Sequence, residues 1–240
     1  PLIVGTALHH GIERGAEEAI KEYFNSFPII SDKHLDEARK LEILIPKVKA
    51  LISDTAEFEV VLDDEGRFIG YIDYLDKENS VLLDFKYTTD KKFAEKYLKS
   101  PQIHVYKDYL KRLNGYDVEN IGYLQIPKIG IRQKKTETLR MFRDRLDEDL
   151  KKAEPRIEFV KYSQKKADEF QDLIKEIEAA QEFPKNQSKL CDWCEYQDYC
   201  QKGEDYMILP ENKRRSINGV SHKKIWIYGS PFSGKTTFSD

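Results

Sequence analysis

What the chain lacks narrows its class first. No run of about 18 apolar residues occurs in the 240, so no helical membrane span is expected. No basic segment followed by an apolar stretch stands at the start, and together these absences point to the cytoplasm. Cysteine is scarce: there are three, all between Cys191 and Cys200, an odd number that does not make a disulfide framework and suggests a reduced compartment with a metal site. An excess of one charge is missing too, since 40 Lys and Arg face 43 Asp and Glu for a net charge of −3. Any nucleic-acid site must therefore be a local basic patch and not a global field. Repeats of fixed period and low-complexity stretches are also absent. What is present is a 40% apolar chain, enough for a sizeable core in one large domain or two small ones.

Periodicity predicts the elements. Leu8, Ile12, Ala16, Ala19, Ile20, Tyr23 and Phe24 recur at helical spacing, which predicts one helix over 6–26. A second helix is expected from about Asp32 to Ile52, broken or kinked near Pro46. The segments AEFEVVL, RFIGYIDYL and SVLLDFKYT, separated by turn-rich DDEG and DKEN, predict a three-stranded meander. KKFAEKYL and QIHVYKDYLKRL predict helix around Pro101, NIGYLQIP a fourth strand, and TETLRMFRDRLDEDLKKA an amphipathic helix. RIEFVKYS reads as a short strand, and Lys165 to Gln181 as a further helix. The polar, basic stretch over 204–224 reads as an interdomain linker.

Chemistry gathers on two of the strands. Asp84 and Lys86 are two residues apart and so project to one face, opposite Val81, Leu83 and Phe85. That face is expected to be polar, with neither residue filling core volume. A hairpin turning at Asp76 to Asn79 would bring Asp73 beside Asp84. Two carboxylates of this kind suit Mg²⁺ or Mn²⁺, which activates water, while a neighbouring lysine positions that water or stabilises charge on phosphorus. This is the chemistry of phosphodiester hydrolysis. As a lone tripeptide, D-x-K is more often a solvated pair. Glu57, Glu59, Asp63 and Asp64 read as solvated, and Lys91, Lys92, Lys96 and Lys99 as a solvated face that could track a DNA backbone.

The order GTALHHGIE, GYIDYL, LLDFK and QIHVY resembles the RecB-like branch of the PD-(D/E)XK nucleases, the group that includes AddB and the CRISPR-adaptation exonucleases, over about residues 1 to 203. The resemblance implies an α/β core, a small mixed sheet flanked by helices, with a helical, cysteine-bearing C-terminal part. It implies His9 as the histidine of the G-x-x-x-H pattern from Gly5, with His10 the competitor, and Asp73, Asp84 and the Phe85 carbonyl as the other metal ligands. Lys86 corresponds to the catalytic lysine, and Gln102 with Tyr106 to the motif that helps hold the DNA strand. The implied function is a Mg²⁺- or Mn²⁺-dependent deoxyribonuclease, an exonuclease on single strands or ends, in replication, recombination or repair. The alternative is a non-catalytic DNA-binding module attached to a P-loop ATPase or helicase.

Cys191, Cys194 and Cys200 form C-x2-C-x5-C, a spacing of thiolate ligands more than of buried hydrophobes. In the resembling nucleases such a triplet joins a cysteine before the histidine motif to hold a structural 4Fe–4S cluster. No cysteine precedes His9 in these 240 residues, so the expectation is that a segment before Pro1 carries it; zinc with another ligand is the alternative. Gly229 to Thr236 fits G-x-x-x-x-G-K-[ST], with Gly229 and Gly234 shaping the loop, Lys235 for phosphate oxygens and Thr236 for Mg²⁺. Only four residues follow Thr236, so 225–240 is expected to be the truncated start of a P-loop NTPase domain, incapable of hydrolysing ATP in this chain.

Overall fold

The computed structural model describes residues 2–89, 97–182, 188–194, 197 and 200. The expected linker over 204–224, the phosphate-loop residues Gly229, Gly234, Lys235 and Thr236, and Lys91, Lys92 and Lys96 lie outside the described residues. The chain divides into two compact units, with the boundary between Lys175 and Glu176.

The first unit begins with α1 (Leu2–Arg14), α2 (Ala16–Asn25) and α3 (Asp32–Lys49). Two helices thus replace the single one expected over 6–26. Gly15 separates them with φ 105°, a conformation open to glycine and closed to the side chains on either side of it. Apolar spacing continued across the break, which is why the pattern alone read as one helix. α3 runs on through Pro46 to Lys49. β1 (Glu57–Asp63), β2 (Ile69–Asp76) and β3 (Val81–Thr88) form the expected meander, α4 (Gln102–Asn114) crosses over, and β4 (Asn120–Pro127) returns beside β3. α5 (Leu139–Lys152), β5 (Arg156–Val160) and α6 (Gln164–Ala179) follow. The sheet order is β1-β2-β3-β4-β5, with β3 and β4 parallel and the other neighbours antiparallel.

Each face of this mixed sheet has its own core. On one, Leu8 and Ile12 of α1, Leu41, Leu44 and Ile45 of α3, and Phe142 and Leu146 of α5 pack with Tyr74, Leu83 and Phe85. On the other, Ile103, Val105, Tyr106 and Tyr109 of α4 pack with Leu62, Ile72, Leu82 and Tyr123. Phe170 and Ile174 of α6 join that second core. α1 sits close against its neighbours at Gly11, where a Cβ would collide with Ile45 and Ala19. Its C-terminal carbonyls, Ile12 O and Glu13 O, accept from Lys49 Nζ at 3.3 and 3.4 Å, a cation at the negative end of the helix. Among the described residues no helix is long and apolar enough to cross a membrane. Within the second unit the described part includes a 3₁₀ turn over Lys189–Trp193.

Candidate functional site

The hairpin from β2 to β3 turns on Asp76, whose carboxylate accepts from Asn79 N at 2.9 Å and from Asn79 Nδ2 at 2.7 Å. This is an Asx-type turn, the reason an Asp and an Asn stand there. The strands pair through Tyr74↔Leu83, Leu75↔Leu82 and Asp76↔Val81. One more step would set Asp73 opposite Asp84 in the same register. Instead Phe85 N donates to the Asp73 side chain, Oδ2, at 2.8 Å. A side chain has taken a ladder position, and β2 parts from β3 there.

The same point interrupts the other edge of β2. Pairing with β1 includes Phe58↔Tyr74 and Val60↔Ile72, but not the intervening Glu59 and Asp73. Phe58 and Tyr74 belong to the first core, whereas Val60 and Ile72 belong to the second. Both strands therefore turn over between those pairs, against the strict alternation of an unbroken strand. Glu59 makes the turn with φ 50°, in the left-handed region that non-glycine residues seldom occupy.

His9 approaches this opening from α1. Its Nδ1 lies 3.5 Å from Asp73 Oδ1, and its ring stands edge-on to Phe85 with centroids 5.5 Å apart. His10 faces elsewhere, with Nδ1 2.6 Å from Glu22 and Nε2 3.7 Å from Glu59. Of the two histidines, His9 is the one brought to Asp73. Glu59 is exposed, as expected, and its carboxylate also stands near His10.

Asp84 and Lys86 correct a second expectation. Their strand face is not an exposed polar surface: α4 covers it, Asp84 is fully buried, and the Lys86 side chain is 14% exposed. Period-2 alternation placed the two residues on one face correctly, but it could not say that a later helix would cover that face. Lys86 Nζ lies 2.5 Å from Asp84 Oδ2. An isolated carboxylate there would lose several kcal/mol of solvation, a loss that the Lys86 ammonium offsets in part. In the β3–β4 register Asp84 faces Tyr123, whose phenol is pushed above its usual range, first by burial and then by the Asp84 carboxylate.

Gln102 and Tyr106 share one face of α4, as their spacing requires. Lys86 Nζ donates to Gln102 Oε1 at 3.1 Å, and Gln102 Nε2 donates to Tyr106 OH at 3.1 Å. The amide thus fixes the lysine and is itself fixed by the tyrosine. Sequence reasoning missed Tyr97, whose ring lies 5.2 Å from Lys86 Nζ and adds a cation–π contact. A tyrosine in a lysine-rich stretch carries no local signal for that role.

The donor types suit a hard divalent cation: two carboxylates, an imidazole and the Phe85 carbonyl, all carried by α1 and the β2–β3 hairpin. Their arrangement is in two pairs, His9 with Asp73 and Asp84 with Lys86. Among the described residues no three His, Cys, Asp or Glu side chains are grouped to enclose a cation. The same holds for the described cysteines, of which Cys191 and Cys200 are half-buried and Cys194 is exposed. Cys191 Sγ accepts from Ser188 N at 3.3 Å, within the turn that carries it.

No curated protein matches the chain. The family comparison is positive: the sequence profile of the PD-(D/E)XK nuclease superfamily matches residues 3–201, spanning the helical start, the whole five-stranded sheet and the cysteine segment. With the mixed sheet and a D-x-K strand facing an aspartate across a hairpin, the match shows that this chain belongs to the PD-(D/E)XK nuclease superfamily.

Proposed function

We propose that the protein is a divalent-metal-dependent deoxyribonuclease that hydrolyses phosphodiester bonds. The observation that carries this reading is Lys86, held within 2.5 Å of buried Asp84 and oriented by Gln102, on a strand that opens from β2 where Asp73 stands. In this proposal Asp73, Asp84, His9 and the Phe85 carbonyl hold Mg²⁺ or Mn²⁺. Such a cation, when bound, stabilises charge on phosphoryl oxygens and lowers the pKa of water. The chain's own contribution is orientation and charge. Lys86, restrained by Gln102 and Tyr97, presents an ammonium whose direction is fixed before substrate arrives, so charge developing on phosphorus meets a positioned donor. Phe85 N–H holds Asp73 Oδ2 and leaves Oδ1 toward His9. Tyr106 acts on Lys86 through Gln102, and a part for the two in holding a DNA strand is supported by the resemblance alone.

Exonuclease action, preference for single strands or ends, and a setting in replication, recombination or repair are supported by the resemblance to the RecB-like branch alone. A metal at Cys191, Cys194 and Cys200 is supported by their spacing, and its being a structural 4Fe–4S cluster completed by a further cysteine, with zinc as alternative, by the resemblance alone. The proposed domain plan, a nuclease domain over 1–203, a linker over 204–224 and the start of a P-loop domain from 225, is supported by the composition and the phosphate-loop pattern. One observation favours the second reading, a non-catalytic DNA-binding module: among the described residues the donors are grouped in pairs and not as a set of three.

Incubating end-labelled single- and double-stranded DNA with the chain and Mg²⁺, Mn²⁺ or chelator decides between them. Cleavage that the chelator abolishes supports the nuclease. Binding without cleavage under every metal condition supports the module.

A further inference from the structure

We propose that the segment from Lys128 to Lys135, which leaves the carboxyl end of β4, carries the phosphodiester backbone of the DNA toward Lys86. The inference rests on the nuclease reading for its direction, and its test separates the two. The segment KIGIRQKK holds four cations, Lys128, Arg132, Lys134 and Lys135, and no acid. All four are exposed. Ile129 and Ile131 pack against the first core, so the loop is anchored from within and its charged positions stand outward.

The first acid after the segment, Glu137, is already engaged. Its carboxylate accepts from Arg145 Nε at 2.9 Å and Arg145 Nη2 at 2.8 Å, and from Lys134 N at 3.0 Å. Those bonds hold its pKa down to about 2, the Arg145 contact being the largest cause. Arg145 Nη2 also donates to Arg132 O at 3.1 Å. Glu137 and Arg145 thus fasten the loop backbone as a self-neutralised pair. The Lys134 charge also acts on Glu137, though more weakly than the Arg145 contact.

Topology brings the start of this segment to the end of the sheet where Lys86 lies. β3 and β4 run parallel, with Lys86↔Gln125 and Thr88↔Pro127 in register, and Lys128 N donates to Thr88 O at 3.0 Å. The loop therefore emerges at the sheet end toward which Lys86 lies. Lys128 stands three positions beyond Gln125, about 10 Å of extended chain, a length that about three nucleotides at ~3.4 Å rise would cover. A net charge of −3 gives DNA no general attraction to the chain, so attraction has to come from local groups of cations such as this loop.

Fluorescence anisotropy of a short labelled oligonucleotide, single-stranded and as a duplex, tests this with chelator present so that nothing is cleaved. The triple variant Arg132→Ala/Lys134→Ala/Lys135→Ala should weaken binding roughly tenfold or more at ~0.1 M salt. It should also flatten the slope of log K against log salt by about 2 for the single strand. Removing two ion-paired lysines elsewhere, Lys111→Ala/Lys165→Ala, should change neither quantity, and all variants should melt with the wild type. Unchanged affinity and slope in the triple variant, or a wild-type chain that binds neither DNA form, overturns the proposal. If the wild type cleaves with Mn²⁺ while the triple variant binds normally, the loop proposal fails and the nuclease stands. If the wild type never cleaves but the triple variant loses binding, the loop proposal stands and the nuclease reading fails.

Discussion

Glu59 and Asp73 occupy facing positions on β1 and β2, where pairing between the strands is interrupted, and Glu59 takes φ 50° there. At this point both strands exchange the core that they face, and the Asp73 side chain takes the Phe85 amide. A backbone distortion on one strand is thus matched to the placement of a carboxylate on the next. The distortion costs on the order of 1–3 kcal/mol in a non-glycine residue, a cost that a scaffold tolerates at a site.

Glu59→Gly should therefore keep Asp73 in place and be neutral or stabilising by up to about 1 kcal/mol, because glycine adopts positive φ freely. Glu59→Val should pull the position toward regular strand, loosen Phe85 N from Asp73 and lower DNA cleavage. Amide hydrogen exchange at Phe85 reads this independently of activity. Equal Phe85 exchange in the valine variant and the wild type would show that Asp73 is placed without help from Glu59.

Asp84 and Lys86 should not be removable without structural cost, contrary to what an exposed strand face would allow. Lys86→Ala leaves a buried carboxylate without its ammonium and should destabilise by about 3 kcal/mol or more. Asp84→Asn/Lys86→Met, which removes both charges, should recover a large part of that loss while remaining inactive. Urea melts of the single and double variants test the coupling, and additive effects would mean that the 2.5 Å pair is not an energetic unit.

His104 sets a pH window for stability. It is buried on α4, Nδ1 accepts from Ser163 N at 3.2 Å, and its pKa is lowered to about 4 by burial, with Lys166 adding to the effect. Protonation would turn Nδ1 into a donor facing another donor. The unfolded chain takes up this proton near pH 6.5, so the contribution is fully present above that pH and is lost as pH falls toward about 4. The loss should be on the order of 3 kcal/mol. His104→Asn keeps an acceptor near Ser163 and should flatten the stability profile between those limits. A profile unchanged by the substitution would assign the pH dependence to other groups.

Gly11→Ala should cost about 1–3 kcal/mol, because the added methyl meets Ile45 and the Ala19 Cβ where α1 crosses its neighbours. It should also disturb His9, two residues away on the same helix. Thermal melts give the first effect, and Mn²⁺ dependence of cleavage gives the second. A variant as stable as wild type would mean that α1 moves aside at little cost.

The cysteine triplet is tested by anaerobic purification and metal analysis. Iron with sulfide, or zinc, is expected at Cys191, Cys194 and Cys200, and replacing any one by serine should destabilise the C-terminal segment. Absence of both metals would leave three ordinary thiols.

The sequence by itself determined the elements, because their causes are local. Alternation along 57–63, 69–76 and 81–88, the Asp76–Asn79 turn and the i, i+4 spacing of Gln102 and Tyr106 all act within a few residues. It also determined which residues could carry chemistry, since D-x-K on one strand and an aspartate across a hairpin follow from period 2. Tertiary structure decided what those residues experience. Asp84 is buried because α4, which begins at Gln102, closes over β3. His9 and not His10 meets Asp73 because of how α1 packs at Gly11 and under Lys49. The roles of Tyr97 and Glu59 arose from contacts and from a backbone angle that no neighbouring residue encodes. Local patterning fixes which face a side chain takes, while its solvation and its partners are set by chain segments far away in sequence.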